Sequence, residues 1–269
     1  SLQPDTRDGA LELEQAQDLR QYYLFFLVFL RAVAFLASSP LMAVKGIPVL
    51  VKIGFAFVLS LVVFPNLKTG LYPLSDNALV YILQAAGEVL VGLELGLMAS
   101  LVLYLFRMAG HFMDIHIGYG LANVFDSMTG AQNTVIAHFL YMFALVIYLS
   151  LDGHYSLIMA LARSYELLPF NAVFSGGVSE VVLKAFAGMF TLAVQLAVPV
   201  MVVLLLTDTA LGLVARMAPQ MNIFVLGFPL KIVTGLLVLS VTLPLMATAL
   251  SRFMSSIEKN LLLLLKGLS

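Results

Sequence analysis

Six long runs of apolar residues dominate this sequence and restrict the folds that it can adopt. Their approximate extents are Tyr22–Val44, Ile47–Pro65, Ala78–Phe106, Thr134–Leu151, Val181–Leu206 and Ile223–Leu250. Most of them reach the roughly 18 residues that an α-helix needs to span the hydrocarbon core of a bilayer. Because an open strand edge cannot be satisfied in hydrocarbon, we interpret every run as a helix. The sequence therefore predicts an all-α, polytopic membrane-type helical protein.

The composition agrees with a chain that is surrounded by lipid or by other proteins. Hydrophobic residues make up 61% of the sequence and charged residues 11%, whereas a soluble domain carries about 25% charged residues. The net charge is −1 with no basic block, so we expect membrane lipid and not nucleic acid as a partner. The chain has no cysteine, which excludes disulfides and thiolate chemistry. No arranged nucleophile or phosphate-binding glycine loop is visible, so we expect neither an enzyme nor a cofactor site.

Charged residues lie inside these runs or at their edges, among them Arg31, Lys52, Glu88, Glu94, Lys184, Asp208 and Lys231. Each would cost about 2.5–3.5 kcal/mol at the centre of a membrane helix. Residues near a run end, such as Lys184, can extend toward the lipid headgroups. Glu88 and Glu94 are in mid-run and need protein or water beside them.

Small and polar residues recur every four positions along the third run. Gln84, Glu88, Gly92, Gly96 and Ser100 lie on one helix face. Such spacing allows a second backbone to approach closely and to satisfy the carboxyl group. The second helix could belong to the same chain or to another subunit. We assign Glu88, Gly92 and Gly96 to subunit packing, with packing inside the chain as the alternative.

The stretch "DIHIGYGLANVFDSMTGAQN", from Asp114 to Asn133, interrupts the apolar runs with small and polar residues. Its glycines permit sharp backbone reversals, and its apolar side chains could form a deformable seal. Non-helical backbone at membrane depth is tolerated only where it is buried in protein or lines an aqueous cavity. The candidate constriction residues are Ile117, Gly118, Tyr119, Gly120, Leu121, Asn123, Val124, Phe125, Asp126, Met128 and Gly130.

Two other interpretations of this stretch are weaker. The letters "IGYG" match a potassium-channel filter, but His116 and Ile117 replace the Thr-Val lead, and Leu121 stands where an acidic residue is needed. His111, Asp114 and His116 suggest a metal site. Because His116 points away from the face that His111 and Asp114 share, no compact triad forms and we predict no metal.

A second stretch, "RMAPQMNIFVLGFPLKIVTG" from Arg216 to Gly235, resembles the signature of the FliR family of flagellar type III export proteins. "FLRAVAFLASSPLM", "GHFMDIHIGYGLANVFDSMTG" and "LDGH" occur in the order expected for that family. The resemblance extends from about Tyr22 to Leu250. The "GFPLK" form is more similar to the flagellar branch than to the injectisome branch.

This resemblance implies a function that hydropathy alone does not. FliR-like proteins join FliP and FliQ homologues, with an FlhB homologue as a further partner, in a conical gate of long broken helical hairpins arranged as a spiral. The gate lies in the bacterial inner membrane at the flagellar basal body and passes unfolded flagellar proteins. The stretch 117–133 corresponds to a plug loop that narrows the pore.

The resemblance also implies a division of the chain. Residues 1–21 would be a polar tail, 22–176 a FliP-like region, 177–251 a FliQ-like hairpin and 252–269 an amphipathic tail.

The signature has a physical interpretation of its own. Arg216 ends a helix before Pro219, which cannot continue that helix. Gln220 and Asn222 can cap the next helix, in which Gly227 and Pro229 make a bend. We expect these residues to dock against other subunits; a kinked hairpin without a direct role in transport is the alternative.

Two other classes of function remain open at the sequence level. A secondary transporter would use Glu88 and Glu94 as ion sites, although no inverted repeat is visible. An intramembrane enzyme is more distant, and an injectisome homologue would retain the export function.

Overall fold

The computed structural model describes residues 6–40, 47–67, 77–118, 134–167, 177–220 and 222–267 of the 269-residue chain. Throughout these ranges the regular structure is helical, and no β-strand occurs in them. The helices are α1 (Thr6–Ser38), α2 (Val49–Val63), α3 (Ala78–Ile117), α4 (Val135–Ser150), α5 (Gly153–Leu167), α6 (Gly177–Met217) and α7 (Ile223–Gly267), with a 3₁₀ turn at Phe64–Asn66. The predicted all-α architecture is confirmed.

Five helical segments are long and apolar enough to cross a membrane: Leu19–Ser38, Val49–Asn66, Ala78–Ile117, Val182–Met217 and Val225–Ser255. The consecutive helices α4 and α5 meet the same criterion together and would make a sixth. The prediction of a polytopic membrane-type protein is thus confirmed.

Several helices are longer than the apolar runs suggest. We expected the third run to end near Phe106 and the irregular stretch to begin at Asp114, but α3 continues to Ile117. The reason is that Ala109, Met113 and Ile117 follow at helical spacing and are all fully buried. Asp114 and His116 are therefore helical, and α3 ends at Ile117, the first residue of the predicted plug loop 117–133. Likewise, α7 continues without a break through the predicted boundary at residue 252.

The chain divides into two compact units. Unit 1 comprises Ser1–Ser100, Tyr155–Val182 and Lys259–Ser269. Its buried side chains include Leu27, Phe35 and Leu36 of α1 and Leu95 of α3. In the same unit α1 packs on α2 through edge-to-face aromatic contacts, since the ring of Phe25 lies 5.6 Å from that of Phe57. Aromatic and aliphatic side chains of α1 therefore organise this core.

Unit 2 comprises Leu101–His154 and Leu183–Glu258. The ring of Phe112 on α3 meets that of Phe190 on α6 at 6.2 Å. Gly235 of α7 lies against Ile117, because a Cβ placed on this glycine would be 2.9 Å from the Ile117 Cδ1 atom. The C-terminal end of α3 thus contacts both α6 and α7 within this unit.

Apolar residues remain exposed on several helices. In the most apolar 18-residue segment of each helix, the share of buried residues is 67% for α3, 11% for α2, 28% for α6 and 22% for α7. Exposed apolar faces of this extent occur where lipid or other proteins cover a surface. Helix α3 is therefore the most enclosed of the long helices, and the others present apolar faces outward.

Candidate functional site

Two of the charges that the sequence places inside apolar runs form a buried ion pair. The guanidinium of Arg31 on α1 contacts the carboxylate of Glu88 on α3 through two bonds, Nε–Oε2 at 2.5 Å and Nη2–Oε1 at 2.9 Å. The exposed fraction of the side chain is 1% for Arg31 and 0% for Glu88. Each charge therefore satisfies the other where water is absent.

Helix α5 completes the surroundings of this arginine. The third nitrogen of Arg31, Nη1, donates to the Ser164 hydroxyl at 3.1 Å. The guanidinium carbon lies 4.6 Å from the centre of the Tyr165 ring, in a cation–π arrangement. The hydroxyl of Tyr165 donates in turn to the carbonyl of Val28, at 2.8 Å. The network joins α1, α3 and α5 within unit 1.

The glycines of the predicted stripe lie where α1 approaches α3 most closely. A Cβ on Gly92 would collide with the backbone carbonyl oxygen of Arg31, and one on Gly96 would collide with the Ser38 hydroxyl. The Ser38 hydroxyl also lies 3.1 Å from the carbonyl oxygen of Leu93. Glu88, Gly92 and Gly96 thus lie against α1 of the same chain, as the alternative of packing inside the chain expects, and their role in subunit packing stays a prediction. Glu94, by contrast, is only half-buried.

The structure describes the first two residues of the predicted plug loop 117–133 and, from Thr134 onward, the residues that follow it. Ile117 is the last residue of α3 and is fully buried. Gly118 follows with a φ of +100°, a conformation that side chains other than glycine rarely adopt. Beyond it, Tyr119, Gly120, Leu121, Asn123, Val124, Phe125, Asp126, Met128 and Gly130 lie outside the described residues.

Asp114 connects the C-terminal end of α3 to the N-terminal end of α4. Its carboxylate accepts hydrogen bonds from the backbone N–H groups of Ile136 and Ala137, in the first turn of α4, each at 3.0 Å. The Asp114 side chain is 3% exposed. In the described ranges no group of three His, Cys, Asp or Glu residues could hold a metal ion.

The segment that resembles the FliR signature lies at the junction of α6 and α7. As the sequence predicted, Arg216 is in the last turn of α6, which ends before Pro219. The carbonyl of Asn222 accepts the N–H of Val225 at the start of α7. Gly227 is buried, and Pro229 lies inside α7. The other predicted docking residues, Arg216, Pro219, Gln220, Asn222 and Pro229, are exposed.

An ion pair lies beside this segment. The Nζ atom of Lys231 on α7 is 2.6 Å from the Oδ1 atom of Asp208 on α6. Both side chains are partly exposed, with fractions of 20% for Lys231 and 44% for Asp208. Two more of the intramembrane charges are therefore paired within the chain.

Unit 2 also contains a groove of about 320 Å³ between α3, α4 and α6. Its polar lining includes Arg107 and His111 of α3, and its apolar lining includes Phe186 and Met189 of α6. The hydroxyl side chains of Tyr104 and Thr134 also line this groove.

Sequence reasoning missed two of these features. It identified Arg31 and Glu88 as misplaced charges but did not pair them, although an acid and a base that each lie inside an apolar run suggest a pair. It placed Asp114 at the start of the irregular stretch and did not predict that the carboxylate of this helical residue binds the first turn of α4.

A buried ion pair, close helix contacts and apolar outer faces define a helical membrane protein, in which Arg31 and Glu88 satisfy each other's charge. The model of one family, bacterial export proteins, family 1, matches residues 22–257 of this chain. The chain belongs to this family of bacterial export proteins, as its resemblance to FliR indicated.

Curated relatives cover most of the chain. The flagellar biosynthetic protein FliR of Bacillus subtilis (strain 168) is 38% identical over 222 residues, which are 81% of this chain and 85% of the relative. FliR of Aquifex aeolicus (strain VF5) is 32% identical over 230 residues, 84% of this chain and 87% of the relative. FliR of Escherichia coli (strain K12) is 29% identical over 248 residues, 92% and 94% of the two chains.

Proposed function

We propose that this protein is a membrane subunit of the flagellar type III export gate. It would form, with FliP and FliQ homologues, the pore through which unfolded flagellar proteins leave the cell, and an FlhB homologue would be a further partner. The observation that carries the proposal is the family match over residues 22–257. The curated relatives are named as flagellar proteins, which favours the flagellar apparatus over an injectisome.

The proposed location is the bacterial inner membrane, at the flagellar basal body. Five or six helical segments suited to a bilayer support a membrane location. Their exposed apolar faces support contact with lipid and with other subunits. The proposed division into a FliP-like region, 22–176, and a FliQ-like hairpin, 177–251, has support from the short connection between α6 and α7.

Subunit contacts are proposed at the junction of α6 and α7. Arg216, Pro219, Gln220 and Asn222 are exposed there and are free to meet a neighbouring chain. For Glu88, Gly92 and Gly96 the proposed contribution to subunit packing would be indirect, since these residues lie against α1 of the same chain. We propose that they affect assembly indirectly, through the position of α1.

The loop of residues 117–133 is proposed to be the plug of the pore. Leu121, Val124, Phe125 and Met128 would form a soft apolar seal, which excludes water and ions. Gly120 and Gly130 would allow the seal to move aside for a passing chain. The proposal is supported by the burial of the described residues on either side of the loop, Ile117 at the end of α3 and Ile136 and Ala137 at the start of α4.

The test is a deletion of residues 118–130 in the chain produced together with its FliP and FliQ homologues. We expect the complex to assemble and the resting membrane to leak ions, measured as dye entry. Phe125→Gly should leak less than the deletion and more than the parent. A deletion of residues 70–74, in a different connecting segment, is the matched control and should not leak.

Different outcomes would refute the plug and the export-gate function. Tight membranes in both loop variants, with assembly confirmed, would refute the plug. Absence of co-purification with FliP and FliQ homologues, and no restoration of motility in a strain lacking FliR, would refute the export gate itself.

A further inference from the structure

Asp114 contacts the residues on both sides of the segment 119–133. Its backbone carbonyl accepts the N–H of Gly118, the last described residue before the segment, at 3.2 Å. Its side-chain oxygens accept the N–H groups of Ile136 and Ala137, just after the segment, at 3.0 Å each. A single residue thus joins the point where the chain leaves α3 to the point where it enters α4.

The side-chain bonds replace a missing helix cap. The first N–H groups of an α-helix have no partner within the helix and are usually bound by the side chain of the residue before it. Thr134 occupies that position in α4, but its side chain makes no capping bond. Asp114 of α3 binds the second and third N–H groups instead, and its negative charge is favourable at this helix end.

Gly110, one helical turn before Asp114, allows the Asp114 side chain to reach the N–H groups of α4. A Cβ on Gly110 would collide with the backbone of Ala137, with its nitrogen at 2.7 Å. The backbones of α3 and α4 therefore touch at Gly110, and the short side chain of Asp114 extends directly to the N–H groups of α4. The cap and the close approach depend on each other, because a wider separation would remove the carboxylate from hydrogen-bonding distance.

We propose that Asp114 is a positioning residue for export, which holds the ends of α3 and α4 together as a fixed base for the plug loop. The inference rests on the proposed function, because the loop has to close a pore for its base to matter. With the ends fixed, a passing chain would displace the loop and not separate the two helices. Loss of the base would let the ends move apart, and a loop on a widened base would seal poorly.

The first experiment measures the distance between the two helix ends. The chain contains no cysteine, so spin labels on Ile115→Cys and Val135→Cys are specific within it, and the labelled chain is assembled with partner chains whose cysteines have been replaced. Ile115 and Val135 are suitable because they are exposed, at 55% and 54%. In the assembled complex we expect a single narrow distance distribution for the parent. Asp114→Leu should shift and broaden it, and Asp114→Asn, which keeps one acceptor oxygen, should lie between.

The second experiment measures ion leak in the same assembled complexes. We expect Asp114→Leu to raise the leak severalfold and Asp114→Asn to raise it less. Gly110→Ala, which forces the backbones apart but keeps the carboxylate, provides a second route to the same effect. Asp152→Asn is the matched control: Asp152 is exposed at the turn after α4, with a φ of 54° that asparagine tolerates, and the variant should behave like the parent.

Each outcome decides the inference. An unchanged distance distribution in assembled Asp114→Leu complexes would overturn it, and so would a broadened distribution with an unchanged leak. If Asp114→Leu does not assemble, Asp114→Asn and Gly110→Ala provide the same comparison. Failure of the proposed function is recognised separately, because the loop deletion would then leave membranes tight whatever the state of Asp114.

Discussion

Arg31 on α1 and Glu88 on α3 form a two-bond ion pair from which solvent is excluded. Burying both charges is costly, and a well-packed apolar pair of similar volume is often as stable or more stable. Removing one partner is different, because the other charge is then left buried without a counterion. The pair therefore specifies how α1 and α3 are placed more than it adds to overall stability, and this distinction can be measured.

We expect Arg31→Leu or Glu88→Leu to destabilise the protein by about 3–5 kcal/mol, because each leaves one uncompensated buried charge. The double variant Arg31→Leu/Glu88→Leu should recover much of that loss. The measurement is unfolding in detergent together with recovery of the assembled complex. Glu94→Leu on the same helix is the control and should have a smaller effect, since Glu94 is only half-buried. A double variant as unstable as the two single variants combined would contradict this expectation.

Gly92→Ala should destabilise unit 1, because the added Cβ meets the backbone oxygen of Arg31 and cannot be accommodated by a side-chain rotation. Overpacking of this kind costs about 1–3 kcal/mol. Gly54→Ala is the matched control. Gly54 is also inside a helix, but a Cβ added there would meet nothing within 4 Å beyond its own helical turns, so this change should be neutral or stabilise by up to about 1 kcal/mol. Similar unfolding curves for the two variants would show that α1 and α3 are less close than described.

Gly227→Leu should weaken assembly. Gly227 is buried and precedes Pro229, which removes a backbone donor from α7, so a large side chain would alter the direction or packing of this helix. The readouts are co-purification with FliP and FliQ homologues and motility. Gly212→Leu is the control, because Gly212 is exposed on α6 and a Cβ added there would meet nothing within 4 Å beyond its own helical turns. If Gly227→Leu matches the parent in both assays, the glycine has no part in docking.

The Lys231–Asp208 pair should contribute little to the stability of the isolated chain. Both side chains are partly exposed, and exposed ion pairs typically contribute about 0.2–1 kcal/mol. A double-mutant cycle with Lys231→Met and Asp208→Asn, measured by unfolding in detergent, should yield a coupling energy in that range. A coupling of several kcal/mol would instead place the pair in a water-free environment.

The helices were predictable from sequence because length and apolarity suffice to identify a segment that can span a bilayer. Helix ends were less predictable. The extension of α3 through Met113 to Ile117 depends on burial against other helices, which local composition does not encode. The end of α6 before Pro219 was predictable, because proline acts through its own backbone.

The partners of polar residues were the least predictable part of the candidate site. The stripe containing Glu88 and Gly92 indicated that a helix would approach, but periodicity does not name the approaching helix. Arg31 is far from Glu88 in sequence, and Ser164 is farther still. Likewise, nothing local to Asp114 shows that its carboxylate binds N–H groups beyond the loop. Such contacts are set by tertiary structure.

The separation of Arg31 from its partners in sequence has a consequence for synthesis. Glu88 follows Arg31 by 57 residues and Ser164 follows it by 133. At the usual translation rate of about 5–20 residues per second, Glu88 is synthesised roughly 3–11 s after Arg31, and Ser164 roughly 7–27 s after it. During that interval the arginine lies in an apolar helix whose counterion has not yet been made. Lipid headgroups, water or another protein must solvate it until then. Helix α1 is therefore synthesised before α3 and α5 but can form its final polar contacts only after both have been made.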